Sequence, residues 1–225
     1  MKVRLNFLDH DIEVKNDSVF SVECENKIYF YRIVGIINAL ANGYLDEALE
    51  IYDQENEVDC SNKVEVIIDY FNFDFSNKKY QAKLIDMLNH VIDSEDISRF
   101  NNEFKKIRKL VEKNLGKLDL PIVIQKDFEL DSFIKVLKLS IRENKSLLDN
   151  LLLIIDIEKT FHLNYFYVFV NLKSYLSHTE INELYKYALY NQVSILMLDN
   201  DTYGTCLDNE HKIIIDENLN EFMLQ

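Results

Sequence analysis

A chain of 225 residues with 48% hydrophobic and 28% charged side chains is long enough to bury a continuous core and too apolar to remain disordered. That leaves one large α/β domain or a domain carrying an insert. The 25 Lys and Arg against 39 Asp and Glu give a net charge of −14. This weighs against a uniformly basic nucleic-acid surface, since such affinity comes from cations displacing condensed counterions, but a local basic face remains compatible with it.

The N-terminal segments KVRLNF and SVFSVECE alternate apolar and polar residues as half-buried strands do. The second runs directly into a helix from Lys27 to Leu40, with Asn26 as its cap and Gly43 as its stop. Strand-to-helix junctions of this kind hold phosphate in many α/β proteins, through glycine-rich turns whose N–H groups close on the anion. This junction reads Glu23, Cys24, Glu25, Asn26, Lys27, and the four glycines of the chain are isolated, so there are no Walker motifs and no nucleotide is expected.

ALEIYD and KVEVIIDYF are the next strand candidates, the second β-branched as in a strand covered on both faces. From Lys79 to about Leu118 the apolar spacing is helical throughout, in two helices expected to form an antiparallel hairpin, and Pro121 closes the region. A short helix from Asp131 to about Leu137 follows, then KLSIRE, whose alternation predicts a strand with Lys138 and Arg142 on its outer face. Helix, strand, helix and two strands complete the chain: SLLDNLLLIIDIEKTFH, YFYVFVN, SHTEINELYKYALYNQ, VSILMLD and HKIIID.

Strands separated by single helices imply a parallel sheet with crossover helices on its faces. The expected fold is therefore α/β: a P-loop-NTPase-like, mostly parallel head of residues 1–78 and 132–225, interrupted by an α-helical leg at 79–131. The leg holds 10 basic and 10 acidic residues, leaving 15 basic against 29 acidic, so the whole charge deficit falls in the head.

No catalytic constellation is visible. His10, His90, His162, His178 and His211 show no metal-ligand spacing, and His178 precedes a capping pattern read at Thr179 to Asn182 and Glu183. No serine stands in a nucleophile elbow. Cys24, Cys60 and Cys206 are odd in number and far apart, as expected of reduced, structural thiols. Asp69 ends an apolar strand where a magnesium-binding carboxylate could stand, but without a phosphate loop.

Two basic clusters interrupt the acidic background. One lies on the helix SRFNNEFKKIRKLVEKNLGK, where Glu103 and Glu112 offer partners three and four residues away. The other is Lys135, Lys138, Arg142 and Lys145, suited to phosphate contact without base reading. Between them Asp119, Asp127, Glu129 and Asp131 gather carboxylates of the kind calcium takes, though not at EF-hand spacing. No apolar run approaches the roughly 20 residues of a membrane span, and MKVRLNFLDHDIEV lacks a secretory signal, so a cytoplasmic protein with no membrane partner is expected.

Across LNFLD, VFSVECENKIYFYRIV, IIDYFNFDFSN, LDSFIKVLKLSIREN, YFYVFVNLKSYLSHTEINEL and VSILMLDN the chain resembles the CRISPR-associated Csn-two family, type II-A CRISPR adaptation proteins. The resemblance implies a nucleotide-binding-like head without its phosphate loop and an inserted helical leg. It also implies a homotetrameric ring that holds double-stranded DNA, especially ends, during spacer acquisition in antiviral defense. The implied partners are the integrase pair and the RNA-guided effector nuclease, and no catalysis is implied.

Carried onto this sequence, the expected DNA-facing residues are Arg32, Lys135, Lys138, Arg142 and Lys145. The family's calcium would fall to Asp127, Glu129 and Asp131, at a hinge longer and less acidic than the family's. The alternatives are a degenerate nucleotide hydrolase built on Asp69 and a protein scaffold with an acidic head.

Overall fold

The structure is a computed structural model that describes residues 2–13, 18–44, 46–53, 56–57, 63–118, 120–124, 127–163 and 166–224. The chain forms two compact units, Met1–Phe73 with Asn144–Gln225, and Asp74–Glu143. The second unit is wider on both sides than the 79–131 leg read from the sequence. It takes in the short helix after Pro121 and the segment that follows it.

The first unit is built on a six-stranded sheet, in which β3 (Val19–Cys24), β8 (Ile195–Asp199), β7 (Phe166–Val170) and β6 (Val64–Ile67) run parallel in that order. On the other side of β3 lies parallel β9 (Glu210–Ile215), edged by antiparallel β10 (Glu221–Leu224). With six helices among the described residues, this is a mixed α/β fold with a mostly parallel sheet.

A second, antiparallel sheet was not foreseen. It orders β2 (Ile12–Glu13), β1 (Lys2–Leu5), β4 (Leu49–Asp53) and β5 (Asn56–Glu57). The strands in KVRLNF and ALEIYD therefore exist, but they pair with each other, Val3 opposite Ile51 and Leu5 opposite Leu49.

The period of two in strands sorts the main sheet into two unlike faces. Phe20, Val22, Cys24, Val168, Val170, Leu196, Leu198, Ile213 and Ile215 share one core with Val3, Leu5 and Ile51 of the small sheet. Ile33, Ile36, Ile37 and Leu40 of α1 (Lys27–Ala41) complete that core. The opposite face, under α5 (Leu147–Phe161) and α6 (His178–Tyr190), carries Ser21, Glu23, Tyr167, Asp199, Glu210 and Lys212, all buried.

The helix boundaries follow local chemistry. The Asn26 Oδ1 accepts from the Tyr29 N–H at 3.0 Å, and α1 stops where Gly43 takes φ +80°. Ser146 caps α5. The α6 capping box is Ser177 with Glu180, two residues earlier than the Thr179 pattern: Ser177 N–H and Oγ both donate to Glu180, at 2.8 and 2.7 Å. Cys24 is a buried free thiol and Cys206 a partly exposed one, while Cys60 lies outside the described residues.

In the second unit, α2 (Lys78–Val91) and α3 (Ser94–Leu115) form as read, but the main packing of α2 is with α4 (Leu130–Val136) rather than along α3. Phe100 and Phe104 of α3 instead meet Phe128 and Phe133, with centroids 5.5 to 6.2 Å apart. The aromatics of the return segment thus occupy the apolar seam that a hairpin would have used. KLSIRE is not a strand: α4 ends with Lys138 at φ 50°, its N–H bonded to the Lys135 carbonyl at 3.2 Å. That left-handed stop turns the chain out of line, and residues 139 to 144 pair with no strand.

Candidate nucleic-acid interface

Only Glu25 and Asn26 separate β3 from α1, so the junction has no loop that could wrap a phosphate. Its acids are already engaged. Glu25 accepts from the Thr202 hydroxyl at 3.3 Å. The fully buried Glu23 accepts from Lys173 Nζ at 2.8 Å, from Lys212 Nζ at 2.7 Å and from the Tyr203 N–H at 3.0 Å. Asp69, the residue of the hydrolase alternative, is exposed and closes a local turn, accepting from the Phe71 N–H at 2.9 Å and Asn72 at 2.7 Å. The Asn72 hydrogen bond, with that from Phe71, holds its carboxyl below the usual range.

The Glu23 contacts belong to a buried ionic cluster. Lys173, on the short turn Leu172–Ser174 after β7, also donates to Ser21 and Glu210, each at 2.8 Å. Glu210 is further held by the Tyr185 hydroxyl at 2.9 Å and the Leu207 N–H at 3.0 Å. Burial alone would lower the Lys173 pKa, but Glu210 and Glu23 raise it above the ordinary value. Conversely, burial works to raise Glu210, and Lys173 brings it below the usual carboxylate range. The sequence reading missed this cluster. The available signal was a charged residue in an apolar strand, Lys212 just before the run Ile213 to Ile215, but alternation alone did not show which face was covered.

The candidate cations behave differently. Arg32 is exposed on α1 and stacks its guanidinium 4.1 Å over the Phe7 ring, a contact that orients the charge without neutralising it. Lys135, Lys138, Arg142 and Lys145 are all exposed, and none of the five has an ion-pair partner among the described residues. Lys135 to Arg142 share one continuous segment of the second unit, whereas Arg32 and Lys145 belong to the first. On the basic helix α3, three of the six cations pair with its own acids: Arg99 with Glu95 and Asp96, Lys106 with Glu103 at 2.6 Å, and Arg108 with Glu112 at 3.2 Å.

The acids after Pro121 do not converge. Asp131 accepts from Asn89 at 2.6 Å, Glu129 from Ser132 at 2.9 Å, Asp127 is exposed, and Asp119 lies outside the described residues. Among the described residues no group of three or more His, Cys, Asp and Glu is placed to hold a metal ion. Asp127, Glu129 and Asp131 therefore do not fit the six to eight oxygens calcium takes. No helix among the described residues is long and apolar enough to cross a membrane.

Fold and site together define a mixed α/β protein with a mostly parallel sheet, whose tight β3-to-α1 junction leaves no loop, and a helical unit that carries exposed cations without ion-pair partners among the described residues. The sequence matches the CRISPR-associated protein family Cas_Csn2 over residues 44–219, and the chain belongs to that family. Membership supports a role in CRISPR adaptation. Among solved structures, the chain is similar to Stu0660 of Streptococcus thermophilus, with TM-score 0.65 and 13% identity, covering 100% of this chain and 76% of that one. It also has a distant likeness to a putative ABC transporter (ATP-binding protein) from Pyrococcus furiosus. There the TM-score is 0.41 at 12% identity over 94% of this chain and 97% of that one, too remote to carry an argument. No curated protein sequence matches.

Proposed function

We propose that the chain is a non-catalytic, sequence-independent double-stranded DNA binding protein acting in spacer acquisition. The observation that supports this reading best is the run of exposed cations, Lys135, Lys138, Arg142 and Lys145, left without carboxylate partners in a chain of net charge −14. Exposed Lys and Arg at the end of α4 and on the segment after it suit phosphate oxygens, giving position and affinity but no base preference. Arg32, held over Phe7, adds one oriented cation on α1.

Self-association into a homotetrameric ring belongs to the same reading, and so do the integrase pair and the RNA-guided nuclease as partners. Exposed Ile107, Leu110 and Val111 on α3, a helix with no fully buried residue, support self-association. Several copies of a modest patch would bind more tightly by effective concentration. Nucleotide hydrolysis is disfavoured because Glu23, at the end of β3, and Glu25, after it, are acidic and themselves engaged. Calcium is left out of the proposal, since its candidate ligands are dispersed.

The test is a gel shift with linear and covalently closed duplex at two salt concentrations, on a sample sized by light scattering. About four subunits per particle, preference for linear duplex and loss of binding at high salt are expected. A monomer indifferent to both DNAs overturns the reading.

A further inference from the structure

The geometry points to Asp199 as a protonated, neutral acid in the folded protein, whose proton keeps the segment 200–208 closed over the buried cluster. The argument begins with counting donors. Three carboxylates, Glu23, Asp199 and Glu210, share the covered face of the sheet with two ammonium groups, Lys173 and Lys212, and all five are buried. A lysine ammonium has three N–H donors. Those of Lys173 go to Ser21, Glu23 and Glu210, each at 2.8 Å. Lys212 turns to Glu23 at 2.7 Å and Glu210 at 3.7 Å.

Asp199 is the carboxylate left over. Its Oδ1 receives only a long bond from the Lys173 N–H at 3.4 Å, and its Oδ2 is buried with no hydrogen-bond partner, 3.9 Å from an Nζ whose donors are engaged. An ionised carboxylate in that position would be a desolvated and uncompensated charge beside two others of the same sign. Binding a proton removes the charge and brings the cluster to neutrality.

The other groups around it cannot take over this role. Tyr185 on α6 donates to Glu210 at 2.9 Å. Tyr70, after β6, donates to the Ile67 and Val170 carbonyls. Glu158 of α5 is occupied by the Tyr167 hydroxyl at 3.0 Å. His178, Tyr203 and Leu207 line a cavity of about 10 Å³ beside Lys173, Glu210 and Lys212, with room for about one water. Cys206, in the covering segment, has its thiol pushed up by burial and Glu210. Burial raises the Asp199 carboxyl from 3.8 to about 7, with Lys173 opposing and Glu23 and Glu210 assisting.

The segment after β8 is pinned to the same acids. The Tyr203 N–H reaches Glu23, the Leu207 N–H reaches Glu210, and the Thr202 hydroxyl reaches Glu25. The Tyr203 hydroxyl meets Ser174 at 2.9 Å. An ionised Asp199 beside Glu23 and Glu210 would compete for Lys173 and disturb the carboxylates on which this strap rests. Because the folded-state pKa lies above the unfolded value, the stabilisation is complete below about pH 4. It is lost as pH rises toward 7, by up to about tenfold in the folded-to-unfolded ratio per pH unit.

Carboxyl carbon NMR on the intact wild-type protein, with Asp199→Asn for assignment, reads the proton directly. An aspartate resonance titrating above pH 6 and missing from the variant is expected. If every aspartate titrates below pH 5, the assignment is wrong. Hydrogen exchange over residues 200–208, corrected for intrinsic rate, should show protection falling between pH 5.5 and 8 in wild type and holding in Asp199→Asn. Equal pH responses in the two proteins overturn the link to the strap. Both readouts are independent of DNA binding, so the functional reading can fail without touching this one.

Discussion

Two groups of cations, one in each unit, are treated in opposite ways. The Asp74–Glu143 unit holds 14 basic and 12 acidic residues, leaving 11 basic against 27 acidic for the rest of the chain. In the acidic unit, Lys173 and Lys212 are pulled under a helix to neutralise carboxylates. In the other, Lys135, Lys138 and Arg142 stand in solvent beside carboxylates engaged elsewhere. The charge of Lys173 and Lys212 is consumed by the fold, whereas Lys135, Lys138 and Arg142 keep theirs in solvent. Net charge alone therefore says little about what such a protein binds.

The comparison breaks most forcefully at Lys173. Replacing it with Met leaves Glu23 and Glu210 buried with half their compensation, and a loss of about 3 to 5 kcal/mol is expected. Urea unfolding by far-UV circular dichroism measures it. DNA affinity per folded molecule should not change, because Lys173 is buried. A loss under 1 kcal/mol would mean that the cluster contributes little to the fold.

The converse substitution is Lys138, Arg142 and Lys145 together to Ala. Stability should stay within about 0.5 kcal/mol per site, as for exposed residues without partners. The slope of log affinity against log salt should fall by about 0.9 for each phosphate contact removed. An unchanged affinity for linear duplex would show that these residues do not face DNA.

A smaller effect is expected at the α6 capping box. Ser177→Ala removes the acceptor for the Glu180 N–H and the Ser177 hydroxyl bond to Glu180, at about 1 kcal/mol. These hydrogen bonds from Ser177 hold the Glu180 carboxyl below its ordinary value. This stabilisation is present above the unfolded pKa and is lost as pH falls through the lower folded one. The stability gap between wild type and variant should therefore narrow under acid toward the part owed to the lost Glu180 N–H acceptor, and a gap of constant size would remove the Glu180 carboxyl from the account.

How much of this was legible in the sequence depends on whether the information was local. Asn26 and Gly43 announced the limits of α1 because capping and left-handed stops are properties of a few adjacent residues. The absence of a phosphate turn was legible for the same reason. Strand partners were not: the alternation in KVRLNF and ALEIYD gives an inward face but does not name the strand opposite. KLSIRE alternates like a strand yet is none, because alternation carries no sign that Lys138 takes the left-handed stop usually given to glycine. Exposure of Lys138 and Arg142 survived that error, since both lie outside the core in either conformation.

Lys138 also provides the finest test. At φ 50° a lysine carries a Cβ penalty of about 1 kcal/mol that glycine would not. If Lys138 contacts DNA as proposed, stability and binding make opposite demands on this position. Lys138→Gly should stabilise the protein by up to about 1 kcal/mol while weakening duplex binding. Lys138→Ala should weaken binding similarly without the stabilisation. If Lys138→Gly stabilises and leaves DNA affinity intact, the strain at this position has no connection with the ligand, and Lys138 drops out of the proposed cationic run.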